Sequence, residues 1–256
     1  IVTSYFLNQA ITTTYQQSLR ESMLPDRSLT TSQQNYSRNQ QLTHRLNLRL
    51  DVQLDSVTSL RFAPSLSWQT TDFTSLLSSG SSLSGAREKM PVNTGKTTTN
   101  SSSNGLNAFN NLLLTRKFQR EGRTLSAHLN TVLGDDETKV FNQSLNTFYD
   151  STGTNPVVNP LNQQNKQVND NLQNTLTVSY TEPVSFTQKL EFRYAYSRNH
   201  HQSNRLVNDQ SEATGLYDRI NGPLSNHFKS VFTYHRVGAT FQNQRLRYRW
   251  ALGLDS

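Results

Sequence analysis

Residues 42 to 54 alternate between aliphatic and polar side chains, and no other feature of the chain constrains its fold more strongly. The aliphatic positions share one parity, interrupted by His44, and are Leu42, Leu46, Leu48, Leu50, Val52 and Leu54. The positions between them are Thr43, Arg45, Asn47, Arg49, Asp51 and Gln53. Successive side chains of a β-strand point to opposite faces, whereas a helix would mix the two sets around its circumference. The pattern therefore predicts a strand with one aliphatic and one polar face.

The same alternation recurs along the chain as a series of hairpins. Asp55 and Ser56 separate the first run from a second one that ends near Trp68, and three further pairs of runs follow. We predict about nine strands, joined alternately by short turns and by long polar loops. The short turns are predicted at 55–56, 120–123, 182–185 and 242–244, and the long loops at 23–37, 76–104, 150–165 and 207–225. Pro64 lacks a backbone donor, so we expect a bulge or a missing hydrogen bond there.

Short turns that alternate with long loops are typical of bacterial outer-membrane barrels, whose turns face the periplasm and whose loops face the outside. The run from Phe186 to Tyr196 spans ten residue steps, which corresponds to roughly 26 Å of depth at a tilt of about 40°. Strands of soluble sandwiches have about 5–6 residues, half this length. The predicted fold is all-β, with residues 1–256 forming part of a transmembrane antiparallel up-and-down β-barrel. A soluble β protein is the alternative fold.

The composition is compatible with a barrel although it excludes a helical membrane protein. Hydrophobic residues make up 33% of the chain, yet about nine strands with roughly five lipid-facing residues each need only about 45 of them. Ser, Thr, Asn and Gln fill 105 of the 256 positions, as a polar lumen and long loops require. No stretch approaches the ~20 apolar residues of a transmembrane helix. The lack of cysteine excludes a disulfide scaffold, and 9% aromatic residues argue against disorder.

The stretch from Asp55 to Ser67 carries an Asp-Ser turn followed by Pro-Ser-Leu-Ser, directly after the strand Leu46–Leu54. It resembles the barrel of TonB-dependent receptor-like outer-membrane proteins of Bacteroidota-type bacteria, as do the stretches 226–238 and 252–254. This resemblance implies a barrel of about 22 strands in the bacterial outer membrane, with a plug domain inside it and energised ligand uptake through the TonB system. About nine strands are too few, so we expect residues 1–256 to be an internal segment, truncated at both ends.

Several arginines are candidates for ligand contacts in the lumen of such a barrel. They are Arg45, Arg49, Arg193, Arg247 and Arg249. Arg45 and Arg49 alternate with the aliphatic set of the first strand, and Arg245 is expected to share one strand face with Arg247 and Arg249. A basic lumen would attract anionic ligands. The alternative is a solvated polar face whose charge is balanced by acidic groups of a plug or of neighbouring strands.

Other polar clusters favour structural over chemical interpretations. Residues 135–137, the acidic run Asp-Asp-Glu, lack the spacing of a calcium-binding loop. His200 and His201, as neighbours in a strand, would point to opposite faces and could not readily share a metal. The chain contains no hydrolase, zinc-protease or phosphate-loop motif. We therefore expect no enzyme, no metal site and no cofactor. The net charge of +7 lacks a basic cluster interleaved with stacking aromatics, so no nucleic-acid partner is expected.

Three functions remain open at this point. The first is an outer-membrane receptor or transport barrel whose partners are membrane lipid, a plug domain, the TonB system and an extracellular ligand of unknown identity. The second is a structural or adhesive surface barrel, without transport, whose outer loops bind glycans or host surfaces. The third is a soluble secreted β protein, in which the leucines of the alternating runs would pack against a second layer.

Overall fold

The computed structural model of the chain describes residues 1–84, 89–150, 152–153 and 155–256, and within these ranges the structure is all-β. The eleven strands of the described residues are β1 (Val2–Met23), β2 (Ser28–Gln53), β3 (Thr58–Phe62), β4 (Ser65–Ser84), β5 (Lys89–Lys117), β6 (Thr124–Phe148), β7 (Val157–Ser185), β8 (Gln188–Asp209), β9 (Arg219–Ile220), β10 (Asn226–Arg245) and β11 (Tyr248–Asp255). A 3-10 turn, Gly222–Leu224, precedes β10. Within the described residues no helix has the length and apolar character needed to cross a bilayer.

All of these strands form one antiparallel sheet in which each long strand lies beside its neighbours in sequence. The order is β1-β2-β3-β5-β6-β7-β8-β10-β11, with β4 between β2 and β5 and β9 beside β8. The two strands at the ends of this order, β1 and β11, each pair with one described strand. The predicted all-β, antiparallel, up-and-down arrangement is confirmed.

Pro64 interrupts what is otherwise one strand. β3 ends at Phe62 and β4 begins at Ser65, yet both pair with β2 and β5 in one continuous register. The backbone N–H of Leu48 donates to the carbonyl of Pro64 over 3.0 Å, but proline has no N–H with which to return the second bond of this pair. The missing hydrogen bond is confirmed, and it involves no bulge. With β3 and β4 counted together, the described sheet has nine long strands and the two-residue β9.

The strands extend farther than the alternation predicts, into three of the segments predicted as long loops. Most of 23–37 belongs to β2, most of 76–104 to β4 and β5, and 157–165 to β7. The connection at 24–27 is correspondingly short, and β7 begins at Val157 soon after β6 ends at Phe148, while 85–88, 151 and 154 lie outside the described residues. The fourth segment, 207–225, is a connection from residue 210 onward that includes β9 and the 3-10 turn. Ser, Thr and Asn occupy both faces of these extensions, so alternation could not reveal them.

We call these polar extensions the arms. They comprise residues 28–40 of β2, 70–84 of β4, 89–104 of β5, 135–148 of β6 and 157–170 of β7. They are held by the same in-register pairing as the rest of the sheet, for example between Thr99 and Ser75 and between Thr99 and Asn142. Backbone pairing and β-branched threonines are compatible with a strand that carries no apolar face.

The short turns lie at the end of the sheet opposite the arms. They are residues 54–57, 118–123, 186–187 and 246–247. The first two contain the predicted turns, whereas the last two lie two to four residues later than predicted because β7 and β10 continue through Pro183 and Gln244. In the first turn the Asp55 carboxylate accepts hydrogen bonds from the N–H groups of Val57 and Thr58, at 2.8 and 2.7 Å. The Val57 N–H holds the pKa of Asp55 below its usual value.

The sheet is a single layer, and in the described part of the chain no second sheet or helix packs against its faces. Among the hydrophobic residues described, only Ala195 and Val207 are buried. Large aliphatic side chains instead remain accessible; Leu46 and Leu66, for example, are 45% and 41% exposed. The hydrophobic free energy of these side chains is therefore available to a contact outside the described sheet.

Replacement of Pro64 by valine should supply the missing backbone donor of the Leu48 pair. Because the register is continuous on both sides of Pro64, we expect the added bond to stabilise the protein by about 0.5–1.5 kcal/mol. The measurement is the midpoint of denaturant unfolding in detergent. Leu66→Val, on the same strand and face, adds no donor and serves as the control. An unfolding midpoint for Pro64→Val no higher than that of wild type would contradict the expectation.

Candidate functional site

One face of the sheet carries a continuous band of apolar side chains, which we call the apolar band. Its members on the central strands include Leu46, Leu48, Leu50, Leu60, Phe62, Leu66, Leu106, Ala108, Leu112, Leu114, Leu125, Ala127, Leu129, Leu133, Leu172, Leu176, Val178 and Tyr180. Partners in register share a face, so a row such as Leu112, Leu129 and Leu176 runs directly across the sheet. The other side of the sheet is the polar face.

The apolar band crosses the strands obliquely. Its midpoint on β2 is Leu48, and following the pairing strand by strand from Leu48 leads to Thr233 on β10. The apolar residues of β10 are centred on Ala239 instead, six residues nearer the short turns, after six strand-to-strand steps. The band therefore shifts by about one residue per strand. With a rise of roughly 3.3 Å and a strand spacing of roughly 4.8 Å, this corresponds to strands tilted by roughly 35° to the normal of the band.

The short turns follow the same oblique line. The first turn is closed by the pair Gln53 and Ser59. Following the register partners of this pair from strand to strand across the sheet leads to Gly238 on β10. The last turn follows Arg245, seven residues beyond Gly238, again after six steps. We call the oblique line through the short turns the turn line. It has nearly the same slope as the apolar band, so each turn lies at a similar distance from the band.

Aromatic side chains mark both borders of the band. At the border toward the arms, His44 stacks on Trp68 with ring centroids 5.5 Å apart, and the Tyr5 hydroxyl lies 2.7 Å from Nδ1 of His44. At the border toward the turns, Phe241 and Trp250 have ring centroids 5.5 Å apart. Apolar stripes bounded by aromatic rings are typical of the surfaces that membrane proteins present to a bilayer and its two interfaces.

The arginines predicted to line a lumen divide between the polar face and a turn. Arg45, Arg49 and Arg193 lie on the polar face, because each alternates with apolar-band residues of its own strand. Arg249 pairs with Gln244 and has the same orientation. Their contact with a ligand stays a prediction.

Arg247 lies in the turn between β10 and β11, so the strand face expected for it is corrected. The sequence prediction placed this turn at 242–244 and continued one strand through residues 245–249. The turn is in fact at 246–247, and Arg245 pairs with Tyr248 across it. Arg245 consequently lies on the apolar-band side, with its guanidinium carbon 5.9 Å from the Tyr248 ring centroid. Arg249 lies on the opposite side of the sheet.

Part of the positive charge on the polar face is neutralised by acidic residues of the chain itself. Asp51 accepts hydrogen bonds from Arg49 and Arg61, each at 2.7 Å, and Glu191 accepts one from Arg193 at 2.9 Å. Asp51 and Glu191 were not among the predicted site residues. Their spacing of two residues from an arginine on a strand was the available signal, because residues i and i+2 share a face.

Arg45 differs from Arg49 and Arg193 in that it makes none of the ion pairs recorded for the described residues. It lines a shallow groove of about 420 Å³ on the polar face, together with Phe6, Asn47, Ser65, Ser67 and Phe109. Asn47 is fixed there by hydrogen bonds with Ser4 at 3.2 Å and Ser65 at 2.7 Å. A cation beside amides, hydroxyls and two phenyl rings can contact a polar, partly anionic molecule.

A cluster of charges ties the second short turn to the end of β7. Glu182, which lies just beyond the apolar band, accepts hydrogen bonds from Arg123 at 2.8 and 2.7 Å and from Arg120 at 2.8 Å. The Tyr180 hydroxyl donates to the same carboxylate over 2.6 Å. Arg123 first, and then Tyr180, lower the pKa of Glu182 from 4.5 to about 2. The carboxylate therefore holds two arginines of the turn in place.

The acidic run and the paired histidines lie within strands. His200 and His201 point to opposite faces of β8, as predicted, since they pair with Leu172 and Asn171 respectively. Residues 135–137 belong to β6 and not to a loop, and Asp136 accepts hydrogen bonds from Ser103 and Thr138, each at 3.3 Å. In the described part of the chain, no three His, Asp or Glu side chains come together in a way that could hold a metal ion.

Comparison with known proteins identifies no family for the chain. No protein-family profile matches it, and no curated protein matches it. Among solved structures it is similar to the copper transporter OprC at 8% identity and a TM-score of 0.21, with 97% of this chain and 45% of that chain covered. The chain thus spans less than half the length of OprC. A TM-score this low carries no argument about function.

Stability should fall in acid because of Glu182. Its pKa is lower in the folded than in the unfolded protein, so its contribution is complete above about pH 4.5 and is lost as the pH falls toward 2. We expect Glu182→Gln to unfold more readily than wild type at pH 6 and to show a smaller loss of stability between pH 5 and pH 2. The measurement is the thermal unfolding midpoint against pH. Glu121→Gln, an exposed change in the same turn, should leave the wild-type profile unaltered; an identical effect would contradict the assignment.

Proposed function

We propose that this chain forms part of the wall of an outer-membrane β-barrel that acts as a receptor or transporter. The observation that carries the proposal is the parallel slope of the apolar band and the turn line. A band at constant height across tilted strands must shift along them, by about one residue per strand at a tilt near 35°, and barrel strands tilt by roughly 35–45°. A soluble sheet packed on one side has no reason to keep its turns parallel to such a band.

The height of the band supports the same proposal. From Val52 to Leu42 the aliphatic set of β2 spans ten residue steps. At roughly 3.3 Å per residue and a tilt of roughly 35°, this spans about 27 Å, close to the ~25 Å apolar band of outer-membrane barrels. Many leucines of the band, such as Leu66, Leu114 and Leu172, are exposed in the described sheet, whereas a soluble β protein would cover them with a second layer.

Transport is the function we infer for such a barrel. The polar face, with Arg45 in a groove and with Arg49 and Arg193 elsewhere on the same face, would line the lumen and contact an anionic or polar extracellular ligand. The resemblance of Asp55–Ser67 to TonB-dependent receptor-like proteins supports energised uptake, with a plug domain and the TonB system as partners. The proposal places the protein in the bacterial outer membrane and assigns it no catalytic activity.

A structural or adhesive surface barrel is the second candidate, and the arms favour it. They continue the sheet well past the arm-side border of the band, with polar residues on both faces. Paired strands of this kind would stand above the membrane as a stiff polar surface suited to glycan contacts. Transport and adhesion share the same membrane wall and differ in whether the lumen conducts a ligand.

Substitution of Leu48 by arginine should prevent membrane assembly. Leu48 is at the centre of the band on β2, and an arginine facing lipid at mid-depth costs roughly 2–4 kcal/mol. Asn47→Arg is the matched control. Asn47 is adjacent to Leu48 but its side chain lies on the polar face, so an arginine at this position should be tolerated. The readout is the amount of protein recovered in outer-membrane fractions and its heat-dependent mobility on gels. Equal effects of the two substitutions would contradict a membrane-facing band.

In any medium where deletion of this protein slows growth, deletion of the TonB protein should slow growth as well. If uptake is energised, a nutrient condition that slows a strain lacking this protein must also slow a TonB-deficient strain. The double mutant should then grow no more slowly than the TonB-deficient strain. Growth rates across single-nutrient media provide the measurement. An additive defect in the double mutant would favour the structural or adhesive barrel.

A further inference from the structure

Most of the net positive charge of the chain is concentrated around the short turns. The turns and their flanking residues, 54–57, 116–124, 182–190 and 244–250, are called the turn rim here. The turn rim contains eight basic residues and three acidic ones: Arg116, Lys117, Arg120, Arg123, Lys189, Arg245, Arg247 and Arg249, against Asp55, Glu121 and Glu182. Its net charge of +5 accounts for most of the +7 of the whole chain.

Only a small part of this charge is neutralised locally. Glu182 pairs with Arg120 and Arg123. The remaining basic residues of the turn rim make none of the salt bridges found among the described residues. The polar face behaves differently, since Arg49, Arg61 and Arg193 are all paired with acids. The turn rim therefore carries a net positive charge that its own acidic residues do not compensate.

Two apolar side chains project from the turn rim into open space. Phe186 and Leu246 are fully accessible, at 106% and 108% relative exposure, and Val184 is 52% exposed. Phe186 and Leu246 belong to adjacent turns, because the Gln244 N–H donates to the carbonyl of Thr187 over 2.8 Å. A concavity of about 830 Å³ between these turns is lined by Thr187, Gln244, Arg245, Leu246, Arg247 and Tyr248.

We propose that the turn rim binds the anionic head groups of the phospholipid leaflet at this border of the apolar band. The exposed side chains of Phe186 and Leu246 can contact lipid acyl chains, and the unpaired cations around them can contact the phosphates of the head groups. Arg245, Tyr248 and Trp250 lie on the same side of the sheet as the apolar band, so lipids that touch the band meet them directly. The parallel turn line keeps Lys189, Arg245 and Arg247 near one depth, with Lys189 on the polar-face side of the sheet and Arg245 on the apolar-band side. This inference rests on the proposed membrane location.

The two tryptophans of the chain provide a test with an internal control. Trp250 lies at the turn rim and Trp68 at the opposite border, and both are about half exposed on the apolar-band side. The protein, reconstituted as Trp68→Phe or as Trp250→Phe, is placed in vesicles of phosphatidylcholine mixed with brominated phosphatidylcholine or brominated phosphatidylglycerol. Quenching of the remaining tryptophan then reports the relative affinity of the two lipids at that border.

We expect phosphatidylglycerol to be preferred at Trp250 by at least about five-fold, the effect of one basic residue near an anionic surface. The preference should fall toward unity in high salt and in a triple variant. That variant is Lys189→Gln with Arg245→Gln and Arg247→Gln. The matched control, Arg20→Gln with Arg205→Gln and Lys229→Gln, removes three cations at the other end and should leave the preference intact. At Trp68 no such preference is expected.

The possible outcomes separate this inference from the membrane proposal. Quenching of both tryptophans by brominated phosphatidylcholine, without a phosphatidylglycerol preference at Trp250, would overturn lipid binding by the turn rim while supporting the barrel. An equal preference at both borders, or one unaffected by the triple variant, would also overturn it. Absence of quenching at either tryptophan by either lipid would contradict the membrane location itself. A preference confined to Trp250 and lost in the triple variant would establish the site.

Discussion

The continuous register of the sheet is the constraint on which every other property of this protein depends. Side chains alternate between faces along a strand, so a slip of one residue would transfer a whole strand of leucines to the polar face. The register shifts recorded in the described part of the chain are at Ser81/Ser82 and at Pro183/Ser185. Both lie outside the apolar band, in an arm and beside a turn. Within the band, even Pro64 removes a hydrogen bond without displacing a residue.

The oblique course of the band explains how polar residues are accommodated near its middle. The register partners that start at Leu48 are Asn110, Thr131 and Asn174 on the central strands, followed by Arg198 and Thr233. On the central strands the polar groups satisfy one another, since the Thr131 hydroxyl donates to Asn174 over 2.8 Å. On β8 the band has already shifted toward the turns, so that Arg198 lies past Tyr196 at its arm-side border. Strand tilt therefore keeps a charged side chain out of the apolar interior.

Charge is distributed unevenly over the two ends and the two faces of the sheet. Acids two residues from an arginine neutralise part of the charge on the polar face, as at Asp51 and Glu191, whereas the turn rim retains an excess of cations. The excess of positive charge is consequently largest at the turn edge of the sheet.

The sequence by itself determined the strand between residues 42 and 54, the hairpin rhythm and the break at Pro64, because alternation and proline act locally. It did not determine the arms, since Thr97 to Ser103 show no apolar contrast and become strand only by pairing with β4 and β6. It also misplaced the last turn, and with it Arg247. Residues 242–244 are as polar as a turn, yet they belong to β10 and pair with the neighbouring strands. The slope of the band and the lack of a second layer in the described sheet were decided by the tertiary structure alone. They depend on how nine strands are offset against one another, and register between strands is a property that no single run of residues contains.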